Sequence, residues 1–146
     1  MQKESIKPFK ICGLKVRTTS ENGQSTKDIG ELWNIFLGDN ITDNIPNKTD
    51  NPIFSIYTNY QGDFTQPYDT ILGCEVDSLH KILKGIIGQE FKGGIYVKFT
   101  SKGSLHKGVV HRIWDEILKS DINRTYSADF EVFGVKSKNP ENAEVD

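Results

Sequence analysis

Two stretches decide how this chain folds: Glu31-Leu32-Trp33-Asn34-Ile35-Phe36-Leu37 and Arg112-Ile113-Trp114-Asp115-Glu116-Ile117-Leu118. In each, apolar residues return at helical spacing around a single tryptophan. The two tryptophans stand about half a chain length apart. Ahead of the first, Ser25 and Asp28 have capping-box spacing. Ile29, Leu32, Trp33, Phe36 and Leu37 then make one stripe, which Gly38 ends. The second helix is expected to begin near Ser104 and to carry Val110, Ile113, Trp114, Ile117 and Leu118 on one face. Gly108 inside it would cost about 1 kcal/mol relative to alanine.

Strand patterns surround both helices. Residues 7–19 alternate, with Phe9, Ile11 and Gly13 against Lys10, Cys12 and Leu14. Residues 53–60 and 68–76 read as a hairpin with a long loop, 95–100 as a further strand, and 128–135 as the last clear one. Residues 79–87 are ambiguous, because Leu79, Ile82, Leu83, Ile86 and Ile87 fit a helical stripe that Gly85 and Gly88 interrupt. Strand, helix, strand, strand, used twice, would set two helices side by side against one antiparallel sheet. Any two amphipathic helices with one tryptophan each would also look alike, so the repeat alone leaves both readings open.

Composition narrows the function. The chain has 146 residues, enough for one domain with a real core. Its formal charge is −2, which gives no electrostatic footprint for nucleic acid or an anionic membrane. No apolar run approaches the length of a membrane span, and residues 1–10 lack the apolar core of a signal peptide, so a cytoplasmic protein is expected. Cys12 and Cys74 sit in apolar strand-like runs and read as small buried hydrophobes. His80, His106 and His111 are scattered, with no spacing that suits a metal, and no cofactor motif is present.

What the sequence does offer is aromatic: two Trp, five Tyr and eight Phe. Tyr57, Tyr60, Phe64 and Tyr68 lie among Asp63 and Asp69. In Asp129-Phe130-Glu131-Val132-Phe133, strand alternation puts Glu131 on the same face as Phe133, opposite Phe130 and Val132. If that face packs on helices, a carboxylate enters an aromatic interior and must find a hydrogen bond, a proton or a cation. If the face is solvated, Glu131 is an ordinary surface acid.

The run Gly94-Ile95-Tyr96-Val97-Lys98-Phe99, the helix around Trp114 and Tyr126-Ser127-Ala128-Asp129-Phe130-Glu131-Val132-Phe133-Gly134 resemble the GyrI-like small-molecule-binding domain. Leu32-Trp33, Tyr57-Thr58-Asn59-Tyr60 and Leu72-Gly73-Cys74-Glu75-Val76 agree with it in the first half. This is the effector-binding domain of AraC-type and MerR-type bacterial multidrug regulators, and it also occurs free-standing. The resemblance implies an α+β fold of two pseudo-symmetric βαββ modules forming a curved antiparallel sheet, with two helices flanking a ligand groove. It covers 1–146 as one domain, with 5–78 as the first module and 90–146 as the second. The family's acidic pocket residue falls on Glu131, and its aromatic groove positions on Trp33, Tyr57, Tyr96, Phe99 and Trp114.

The function this implies is a free-standing, regulator-related sensor or sequestering protein for lipophilic, cationic, aromatic small molecules. Cation–π contacts and the Glu131 charge would supply selectivity. Two alternatives come with the family: hydrolysis of electrophilic compounds, with Glu131 and Tyr96 activating water, and a protein-binding module acting on a partner such as DNA gyrase. Only about six residues are expected before the first strand, which argues against direct DNA binding. The family's final strand would begin where the sequence stops, at Glu144-Val145-Asp146, so that strand is expected to be truncated.

Overall fold

A computed structural model describes residues 2–19, 21–39, 41, 45, 53–62, 67–79, 85–99, 101–103, 109–119, 128–133 and 143–145. In chain order these form β1 (Gln2–Ile6), β2 (Phe9–Thr18), α1 (Gln24–Gly38), β3 (Ile53–Thr58), β4 (Tyr68–Val76), β5 (Ile87–Phe91), β6 (Gly94–Lys98), β7 (Ser101–Gly103), α2 (Val109–Lys119), β8 (Ala128–Phe133) and β9 (Ala143–Val145). The fold is α+β, and every ladder is antiparallel.

A five-stranded sheet runs β5-β2-β4-β3-β8, while β1 pairs with β6 and β7 with β9. The expected strand–helix–strand–strand order recurs, and β3 of the first half pairs with β8 of the second, Ile53 opposite Phe133 through Thr58 opposite Ala128. The β2–β5 ladder (Phe9 opposite Phe91) resumes as β1–β6 (Ile6 opposite Gly94) in unbroken register. The joint falls where Pro8 has no N–H to donate and Gly93 meets the Ile6 carbonyl too closely for a Cβ. Curvature is also set at Gly13 opposite Gly73, where a Cβ on either would run into the facing strand's backbone.

Alternation sorts the core into two clusters. On one face Cys12, Leu72, Cys74 and Val76 pack beneath Leu32 and Phe36 of α1. On the other, Phe9, Ile11, Ile56, Ile71, Phe91 and Ala128 pack together, with Phe54 and Phe130 against them. The cysteines lie directly opposite each other, buried and not joined in a disulfide, and burial pushes the Cys12 thiol up.

The structure departs from several expectations. Ser25 does not cap α1: Gly23, in the left-handed region at φ 71°, holds that position without a side-chain bond, and Asp28 accepts from Gln24 Nε2 at 2.9 Å instead. Leu37 leaves the apolar stripe and is 58% exposed, whereas Leu32 and Phe36 of the same helix are buried. Ile87, at the end of the ambiguous stretch, opens β5, a strand that pairs with β2 from Phe9 opposite Phe91 to Gly13 opposite Ile87. Strand structure begins at β1, earlier than expected, and Ala143–Val145 form a final strand against β7. Ser104, Gly108 and residues 80–84 lie outside the described residues.

Candidate functional site

The site grows from one pleat. On β8, Asp129, Glu131 and Phe133 share a face that β3 continues with Tyr57, Ser55 and Ile53 in register. Both helices lie over this face. Trp33 of α1 sets its ring edge-on to Phe133, centroids 5.0 Å apart, and Trp114 of α2 stands edge-on to Tyr57 at 5.5 Å. Glu131 lies beneath, 8% exposed.

The Tyr57 hydroxyl donates to Glu131 Oε1 at 2.5 Å, and the Trp114 side chain hydrogen-bonds the same carboxyl. Burial dominates nonetheless, raising the carboxyl pKa from 4.5 to about 7, with both hydrogen bonds pulling the other way. The Tyr57 phenol is pushed well above its usual range, first by burial and then by the carboxylate beside it. This carboxyl therefore changes charge near neutrality, amid aromatic rings.

Residues outside the expected set complete the frame. Tyr68 packs its ring against Tyr57 (6.0 Å) and Tyr60 (5.7 Å), and Ser55 Oγ lies 3.5 Å from the Tyr57 hydroxyl. Tyr60 donates to Asp129 Oδ2 at 2.6 Å. Its position follows from Asn59, whose φ of 51° turns the chain after β3. Asn59 is held by a 2.8 Å bond to Asp69, which also takes Arg17 at 3.2 Å. The Tyr-and-Asp cluster was visible in sequence, but which tyrosine meets which acid depends on strand register.

Of the six expected residues, Glu131, Tyr57 and Trp114 come together, and Trp33 walls the same face one pleat along. Tyr96 stands outside that hydrogen-bonded cluster but lines the same cavity as Glu131 and Trp114. Its ring packs on Phe130 at 5.2 Å, and Phe130 points to the opposite face of β8. The tyrosine that hydrogen-bonds Glu131 is Tyr57, not the Tyr96 that the hydrolase alternative needed. One cavity of about 1000 Å³ is lined by Glu131 and Trp114 together with Tyr96, Phe99, Phe54 and Phe130. Among the described residues no group of three or more His, Cys, Asp or Glu could hold a metal ion, and no helix is long and apolar enough to cross a membrane.

Solved structures share this architecture. The chain is 28% identical to the integron cassette protein VCH_CASS2 of Vibrio cholerae, covering 99% of this chain and 92% of that one with a TM-score of 0.72. SAV2435, solved with tetraphenylphosphonium bound, is 13% identical at a TM-score of 0.79, covering 99% and 88%. A bacterial transcription regulation protein from Staphylococcus aureus MU50 is 12% identical at 0.74, covering 99% and 92%. No curated protein matches the sequence. A family model described as integron-associated effector binding protein matches residues 4–146, and so the chain belongs to the Cass2 family of effector-binding proteins.

Proposed function

We propose that this chain binds lipophilic organic cations, with Glu131 as the neutralising carboxylate and Trp114, Tyr57 and Trp33 as the aromatic walls. Family membership supports small-molecule binding, and the likeness in fold to SAV2435 with its tetraphenylphosphonium makes a bulky aromatic cation the natural first probe. The observation that carries the reading is a carboxyl group buried among rings and poised near neutrality. Desolvation makes its charge costly, so a cation that can enter relieves the cost, while a neutral analogue of the same shape cannot. Rings that present a face to the cation add roughly 0.5–2 kcal/mol per cation–π contact. Charge then sets selectivity, and shape stays permissive. A role in sensing or sequestering such compounds follows from binding alone and needs no catalytic step.

The test is a titration of the chain with tetraphenylphosphonium and with neutral triphenylphosphine oxide. Glu131→Gln is expected to weaken the cation by roughly tenfold or more, as loss of a charge-assisted contact does, and to change the neutral compound by much less. Equal weakening of both would remove the carboxylate from the mechanism.

A further inference from the structure

We infer that Asp129 is a second, specificity-determining cation seat on the strand that carries Glu131, and that flat aromatic dications are the preferred ligand class. The inference rests on the cation reading above and gives a role to a residue that reading leaves unused. Asp129 and Glu131 are alternate residues of β8 on its helix-facing side, Asp129 opposite Tyr57 and Glu131 opposite Ser55. Their backbone positions are therefore ~7 Å apart along the strand. β8 ends the five-stranded sheet, and both acids line the one cavity of about 1000 Å³.

Each acid has its own tyrosine and a further ring close by. Glu131 accepts from the Tyr57 hydroxyl, with Trp114 edge-on to that tyrosine. Asp129 accepts from the Tyr60 hydroxyl at 2.6 Å, and Tyr96 lines the same cavity. Burial first, and then the Asp129 carboxylate, push the Tyr96 phenol above its usual range, so that ring lies within the carboxylate's field. Tyr57, opposite Asp129 on β3 and bonded to Glu131, joins the two seats. Glu4, Glu75 and Glu90 also border the cavity, but from β1, β4 and β5, with Lys7, Lys92 and Lys98 among them. The local excess of negative charge is thus the pair on β8. A monocation neutralises one carboxylate of that pair. A ligand with a second positive charge spaced like the two acids meets both at once, and gains an attraction that a neutral ring end cannot make. The surrounding rings suit a flat aromatic body between the charges.

Methyl viologen and 1-methyl-4-phenylpyridinium test this, because they share one flat two-ring frame and differ by a single charge. The two viologen nitrogens are spaced much as the two acids are. By calorimetry the unaltered chain should bind the viologen about tenfold more tightly than the monocation. Asp129→Asn keeps an oxygen that can accept from Tyr60. It should bring the two affinities within about twofold of each other while leaving that of the monocation nearly unchanged. Asp39→Asn, at an exposed acid just beyond α1, should leave the preference intact and so exclude an effect of net charge. Equal affinity for both probes in the unaltered chain, or equal weakening of both by Asp129→Asn, would overturn the inference. The first of these measurements needs no variant, so a misfolded substitution cannot obscure it. If Glu131→Gln weakens the monocation while no dication preference is found, the cation site stands and the role of Asp129 alone falls. If neither probe responds to Glu131→Gln, both readings fall together.

Discussion

The two faces of β8 are built from one strand, yet they follow opposite rules. Toward the helices, Glu131 and Asp129 are each held by a tyrosine hydroxyl, Tyr57 at 2.5 Å and Tyr60 at 2.6 Å. Toward the interior, Phe130 sits among Phe9, Phe54 and Tyr96 with ring centroids 5.2 to 5.7 Å apart. One face stores electrostatic cost in a desolvated carboxyl; the other stores only surface and dispersion. A pleat of period two lets a single strand serve both environments without compromise.

Four experiments would break or sharpen that contrast. The largest effect should come from the tightly packed part of the helix face. Leu72, fully buried beneath Leu32 and Phe36, should cost about 3–4 kcal/mol when replaced by alanine, read from denaturant unfolding. Next is the charge itself. The Glu131 carboxyl has a folded pKa of about 7 against 4.5 unfolded, so its protonated form favours the folded state. That contribution is complete below about 4.5, is lost as pH rises through 7, and amounts to about 3 kcal/mol. Glu131→Gln should flatten this part of the stability–pH curve; an unchanged curve would mean that the carboxyl is not buried in solution.

A smaller effect is expected on the interior face. Phe54→Ala removes a half-buried ring beside space that is already open, and should cost only about 2 kcal/mol by the same unfolding measurement. A cost as large as that of Leu72→Ala would mean that the interior is packed solid. The smallest effect in energy is the most diagnostic in pH. Tyr57→Phe deletes a hydrogen bond that lowers the Glu131 pKa, so the pH at which phosphonium affinity rises should move upward from about 7, with about 1 kcal/mol of stability lost. In the unaltered chain that affinity should climb roughly tenfold between pH 6 and 8, with a proton released on binding, which calorimetry in buffers of different ionisation enthalpy would detect.

Much of this was legible in the sequence because it depends on local periodicity. The apolar stripes around Trp33 and Trp114 gave both helices, and alternation in 128–133 placed Glu131 opposite Phe130. What periodicity missed was decided by pairing across long separations. β5 has a weak strand pattern and exists because β2 offers it a ladder. Gly23 rather than Ser25 begins α1, because the preceding turn needs a left-handed residue.

By itself, the sequence marked both helices and put Glu131 on the same side of its strand as Phe133, since each follows from side-chain spacing along a few residues, but it left open whether the repeat was real and whether that side was covered. Only the tertiary structure decided that Tyr57, and not Tyr96, meets that acid. Two residues on strands far apart in the chain become neighbours through register and sheet curvature, and neither leaves a mark on the local pattern. The raised pKa belongs to the same category, because desolvation is a property of everything packed around a carboxyl group and of no residue alone.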